Sequence, residues 1–179
     1  LEMQIRIAPT LLLATAFLLA GIACSNQKKV ALRFVADYEQ VQGWFDVPLE
    51  AGVAHSGRFS HKVERNQEFS HGFALPLAQL DTAAWQTVTA TAWVNCIDMT
   101  DPVLFTLDLM IPSENEHLQT VYYNIQSDVN RQPGIWQKVS VQMKVPNERR
   151  TEGAVLKAYF WNNRQQQFWI DDFTLTLQP

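Results

Sequence analysis

The chain has 179 residues, 47% of them hydrophobic, enough for one domain with a real core. Its formal net charge is −4, with 14 Lys and Arg against 18 Asp and Glu, and no basic cluster. That excludes nucleic acid as a partner, because neutralising phosphates needs concentrated cations.

The first element is an apolar run, Leu11 to Ala23, preceded by Arg6 and followed by Cys24 and the polar stretch Ser25-Asn26-Gln27-Lys28-Lys29. The run is well short of the roughly 20 residues a membrane-spanning helix needs. Leu1-Glu2, ahead of Met3, are left out of the fold reading. One cation, a short apolar stretch and Ile22-Ala23 before a cysteine resemble a bacterial lipoprotein signal peptide, although Gly21 stands where Leu is commoner. The resemblance implies a signal peptide over 1–23, cleavage before Cys24, lipid on its thiol, and a linker over 24–30. It also implies attachment to the bacterial cell envelope at the membrane. Ser25 at the next position directs the expectation to the outer membrane. One acyl chain binds membranes weakly, so stable attachment requires more than one on Cys24. With Cys24 lipidated, Cys96 has no partner for an internal disulfide and reads as a small buried hydrophobe.

Beyond residue 30 the period is two, in short runs divided by turn residues, which predicts an all-β sandwich or barrel of about ten strands. In chain order the strands are expected at 32–35, 61–64, 69–75, 86–96, 104–111, 119–126, 136–145, 154–162 and 168–177, with one short helical turn possible within 77–84. Val88, Ala90, Ala92 and Val94 share one face, as do Val139, Val141, Met143 and Val145. Pro76, Pro102, Pro112, Pro133 and Pro146 fall between strands, where a missing N–H does no harm.

Three segments then stand out. Asp37-Tyr38-Glu39 is followed by Gly43-Trp44. His55-Ser56-Gly57-Arg58-Phe59-Ser60-His61-Lys62-Val63 comes second. The third pairs Gly134 to Ser140 with the closing strand Trp169-Ile170-Asp171-Asp172-Phe173-Thr174-Leu175. In order and spacing they resemble carbohydrate-binding modules of the galactose-binding-like group, close to the xylan- and glucan-binding families. The resemblance implies a two-sheet antiparallel jelly-roll β-sandwich over 31–179. It also implies a structural calcium held by Glu39 and by Asp171 or Asp172, with carbonyls near Gly57 to Ser60. Calcium takes six to eight hard oxygens, which suits carboxylates from distant segments. Neighbouring residues on a strand face opposite ways, so one of the two aspartates is the expected ligand. Asp171 shares the parity of Phe173 and Leu175 and is expected to point inward. Trp169 is placed at the core edge on the same parity. Trp44 and Trp136 match positions that pack structurally, and Trp85 fits either a core edge or a rim.

Opposite the apolar parity lies a second set: Trp93, Asn95, Thr106, Asp108, Tyr122, Asn124, Tyr159 and Trp161. Flat aromatic faces for pyranose rings, flanked by amides and acids for hydroxyls, are what a glycan groove needs. Aromatics on a non-core face also suit a protein interface. They form one surface only where their strands share a sheet. The loop 162–167 beside Trp161 is either a solvated hairpin or a specificity loop. No nucleophile elbow, phosphate loop or HExxH-type histidine spacing appears, and nothing fixes two carboxylates at glycosidase separation. The expectation is a non-catalytic, envelope-tethered binder of polysaccharide or oligosaccharide. The alternative is an accessory subunit docking into an envelope protein complex, and a small tethered hydrolase is a weaker third.

Overall fold

The computed structural model describes residues 31–39, 49–80 and 85–179. The leader, Cys24 and Trp44 lie outside the described residues. Among the described residues no helix is long and apolar enough to cross a membrane.

Among the described residues ten strands form two antiparallel sheets. The strands are β1 Leu32–Ala36, β2 Leu49–Ala51, β3 Phe59–Val63, β4 Phe73–Pro76, β5 Thr87–Asn95, β6 Leu104–Ile111, β7 Glu116–Asn124, β8 Gln137–Lys144, β9 Val155–Trp161 and β10 Phe168–Gln178. The first sheet runs β2-β3-β10-β5-β8, with β1 also paired to β10. The second runs β4-β9-β6-β7. The expected jelly-roll sandwich is therefore present. Among the described residues helix is confined to single turns such as Leu77–Gln79 and Gln126–Val129.

The core forms where the inward parities of the two sheets meet. Val88, Ala90, Ala92 and Val94 of β5 are fully buried, as are Phe105, Leu107 and Leu109 of β6 and Leu156, Ala158 and Phe160 of β9. The Phe105 and Phe160 rings stack 4.3 Å apart, and Phe173 meets Phe105 edge-on at 5.5 Å. Such pairs add to plain area burial, because the positive ring edge meets the negative ring face. Cys96 is buried, as expected of a small hydrophobe. Trp85 belongs to the core at 1% exposure, with the Arg150 guanidinium 4.4 Å above its ring.

A bulge in β10 corrects two expectations. The register against β5 shifts between Asp171 and Thr174, where Asp172 takes a left-handed φ of 47°. An extra residue reverses the alternation along the strand. Phe168 and Ile170 point inward before the bulge, and Phe173, Leu175 and Leu177 after it. Asp171 pairs with Trp93, and Trp169 with Asn95, so both lie on the outer side of the first sheet. Trp169 is half-buried there, its Nε1 donating to Glu50 at 3.3 Å and Lys62 lying over its ring. Trp136 is also half-buried rather than core, with its ring edge-on to His55.

Candidate functional site

The strands divide the candidate face. Trp93 and Asn95 sit on β5 in the first sheet, whereas Thr106, Asp108, Tyr122, Asn124, Tyr159 and Trp161 sit on β6, β7 and β9 in the second. The eight residues do not make one surface. The six on the second sheet fall into cross-strand rows on its outer face. Asn124, Leu104 and Trp161 make one row, Tyr122, Thr106 and Tyr159 the next, and Thr120, Asp108 and Lys157 the third. Directly opposed residues on neighbouring strands share a face, so these side chains project together.

Trp161 and Tyr159 are met from the side by Phe69, in the loop ahead of β4. The Phe69 and Trp161 rings are nearly parallel, 6.5 Å apart at 12°, and Phe69 meets Tyr159 edge-on at 5.7 Å. The Trp161 Nε1 donates to Glu68 at 3.3 Å, which fixes the indole's orientation. Phe69 is 49% exposed and Tyr122 63%, so apolar faces remain open to solvent. Beside them the surface sinks into a cavity of about 390 Å³ lined by Phe69, Gly72, Ala74, Asp108, Met110, Asn115, His117, Lys157 and Tyr159, among others. The depression fits tightly against β9 at Gly72, where a Cβ would come 2.0 Å from the Ala158 carbonyl oxygen.

Asp108 has outward parity yet is only 1% exposed, because its neighbours close over it. His117 donates from Nδ1 to both its oxygens, at 3.0 and 2.9 Å, and Thr120 Oγ1 donates at 2.8 Å. Burial, with the Asp108 charge adding to it, pushes the Tyr159 phenol up to about 12, so it stays a donor at any physiological pH. Asn124 is consumed locally, its Oδ1 accepting the Gln126 N–H.

Three groove residues escaped the sequence reading for different reasons. His117 has the wrong parity for Thr120 and Tyr122, and a bulge between Leu109 and Met110 brings it opposite Met110 on their face. Lys157 shares the parity of Tyr159 and Trp161, so it was open to inference by alternation. Phe69 opens the strand expected at 69–75 but stands in the loop ahead of β4, where strand parity does not tell which way a side chain faces.

The first sheet uses its candidates differently. Loop residues 53–58 fold over the β10 bulge. Asp171 is fully buried beneath them, accepting N–H bonds from His55 at 2.7 Å, Ser56 at 3.0 Å and Asp172 at 2.7 Å. Burial raises its carboxyl, and the adjacent Asp172 charge raises it further, against the lowering effect of those donors. Asp172 accepts from His55 Nδ1 at 2.7 Å and Ser56 Oγ at 2.9 Å. Glu39 grips the same loop from another side, taking the N–H groups of Arg58 and Phe59 at 2.7 and 2.9 Å, which lower its carboxyl. Gly57, at φ 63°, leaves room for that carboxylate, since a Cβ there would lie 2.2 Å from its carbon. His55 then stacks on Trp93 at 3.8 Å and 15°. Trp93 is thus covered by the chain's own imidazole, and Asn95 donates to the Gly134 carbonyl.

The three expected metal carboxylates therefore meet at one loop. Asp171 is a buried charge with no cationic side chain paired to it among the described residues, a charge environment that suits a hard cation. Among the described residues no three His, Cys, Asp or Glu side chains converge as a closed ligand set, so backbone carbonyls would have to supply the remaining oxygens.

Two antiparallel sheets in this strand order make a jelly-roll β-sandwich. The chain is similar to the CBM22-2 xylan-binding domain from Paenibacillus barcinonensis Xyn10C, at TM-score 0.51 and 18% identity over 81% of this chain and 99% of that one. It is also similar to the CBM22-1 xylan-binding domain of the same protein, at TM-score 0.50 and 16% identity over 80% and 92%. The C-terminal family 22 carbohydrate-binding module of Clostridium thermocellum Xyn10B, which binds ligand in a cleft, matches at TM-score 0.51 and 14% identity over 80% and 92%. Identity this low carries the fold alone. No protein-family model and no curated protein matches the chain.

Proposed function

We propose that this protein binds glycan, without catalysis, in the outer-face groove of the second sheet. The observation that carries the reading is the aromatic wall of Phe69, Tyr159 and Trp161 standing beside a cavity floored by Asp108, His117 and Lys157. A concave site with open apolar faces and a few convergent polar groups suits a sugar ring better than a flat protein interface. The xylan-binding domains of like fold add support at the level of ligand class. For a binder rather than a hydrolase speaks the state of Asp108. Its oxygens are already taken by His117 and Thr120, and no other carboxylate is among the residues lining the cavity. Affinity electrophoresis against a panel of plant, algal and host polysaccharides tests this. Retardation by at least one glycan is expected, and no retardation on any of them removes the reading.

The leader supports tethering at the bacterial envelope through lipid on Cys24, in the outer membrane by the lean of Ser25. A tethered module holds a weak binding face at high local concentration. Cys24→Ser, expressed in a bacterial host, is expected to move the protein from the membrane to the soluble fraction. Unchanged membrane association would sink the tether.

Calcium is proposed as a structural ion held by Glu39 and by Asp171 or Asp172, supported by the buried Asp171 carboxylate with no cationic side chain paired to it among the described residues. Each of these carboxylates accepts loop hydrogen bonds, so the ion would share their oxygens with those donors. Its role would be to neutralise that charge and stiffen the 53–58 loop. Chelation is expected to lower the melting temperature, with recovery on adding calcium. An unchanged melt in metal-free protein rules the ion out.

A further inference from the structure

We propose that the groove seats a sugar carrying an anionic substituent, a carboxylate or a sulfate ester, against Lys157. The inference rests on the glycan reading above and names the class of glycan. Lys157 lies on β9, one of the two inner strands of its sheet, and lines the cavity in the row of Asp108, next to the row of Tyr159. Asp108 is its register partner on β6, on the same face. Cross-strand neighbours of opposite charge ordinarily pair. Here they do not, and among the described residues Lys157 forms no ion pair. The reason is visible one strand further on. Asp108 turns toward β7, where His117 and Thr120 take its oxygens.

The consequence is a cation in the cavity with no counter-charge of its own. The Asn115 amide and the Tyr159 hydroxyl, which also line the cavity, can both donate and accept, as a neutral sugar's hydroxyls need. The Asp108 carboxylate is engaged, and the Lys157 ammonium is a charged group that only donates. His117 presents Nε2 outward, an acceptor in the neutral ring and a donor in the imidazolium. An oxyanion beside Lys157 would satisfy the ammonium with a charge-assisted bond in a half-buried setting, where such bonds are strongest. A general attraction for polyanions does not explain the preference, because the whole chain carries a net charge of −4.

The test is quantitative affinity electrophoresis of the full chain, with polygalacturonate, carrageenan and neutral xylan in separate gels. Lys157→Met keeps the stem and removes the charge, and Lys157→Arg keeps the charge. Binding to polygalacturonate or carrageenan is expected, with affinity falling at least about tenfold in Lys157→Met and largely kept in Lys157→Arg. The gel that retards distinguishes carboxylate from sulfate. Binding to xylan alone overturns the anionic seat and leaves the glycan reading standing, as does acidic-glycan affinity unchanged in a folded Lys157→Met. Loss of retardation in every gel, wild type included, removes both.

Discussion

Asp171→Ala is expected to be the most destabilising single substitution in the chain's polar framework, lowering stability by about 3 kcal/mol or more. Three backbone N–H donors, of His55, Ser56 and Asp172, lose their acceptor together. The two loop donors hold residues 53–58 onto the β10 bulge, so removing the carboxylate also frees the strained Asp172 turn and the His55 ring on Trp93. For a domain of this size that is a fall in melting temperature of roughly 6–12 °C. Asp171→Asn keeps one acceptor oxygen but sets an amide N–H against a backbone donor, and is expected to lie between wild type and Ala. Differential scanning calorimetry with calcium and with chelator separates the carboxylate's two possible duties. A loss seen in both conditions assigns it to the amides, and a loss seen only with calcium assigns it to the ion. The pH dependence has a definite sign. Burial raises the Asp171 carboxyl, so the folded chain holds its proton more tightly than the unfolded chain does. That contribution is present at low pH and fades as pH climbs through the folded-state value, and Asp171→Asn should flatten that part of the curve.

Trp161→Ala is expected to weaken glycan binding by about 2 kcal/mol, roughly thirtyfold in Kd, with little change in the melt. Its indole stands on the groove side of β9, braced by Phe69 and oriented by Glu68, and is only partly buried. An oriented, half-open aromatic face loses little entropy when a pyranose ring covers it, which is why such residues dominate affinity. Trp93→Ala is the matched control. Trp93 lies on the other sheet beneath His55, so its loss should leave binding intact and lower stability instead. Titration calorimetry on both variants decides the matter. Equal loss of affinity in the two would mean that the binding face is not the groove of the second sheet.

Alternation made most strands readable without coordinates. β6 falls where it is expected, and β8, β9 and β10 within a residue or two, because apolar residues recur at every second position along them, the β10 bulge apart. The early region read less well. β3 spans Phe59–Val63 and β4 only Phe73–Pro76, since the intervening loop carries Phe69, an apolar residue that serves the groove rather than a strand. β2, three residues long, is too short to show a period. At the site, Tyr159 and Trp161 were legible from parity alone. His117 and the true side of Asp171 were hidden by bulges, because a single inserted residue inverts every inference drawn from a period of two.

By itself the sequence determined the all-β class, most of the strands that supply its core and the polar character of the opposite faces. Those follow from local rules, the two-residue repeat and the placement of proline, which act within one strand. Which outer faces share a sheet is decided by strand order, and strand order is set by packing among segments far apart in the chain. Only the tertiary structure therefore separated Trp93 from Trp161, sealed Asp108 behind His117, and left Lys157 facing the groove without a carboxylate of its own.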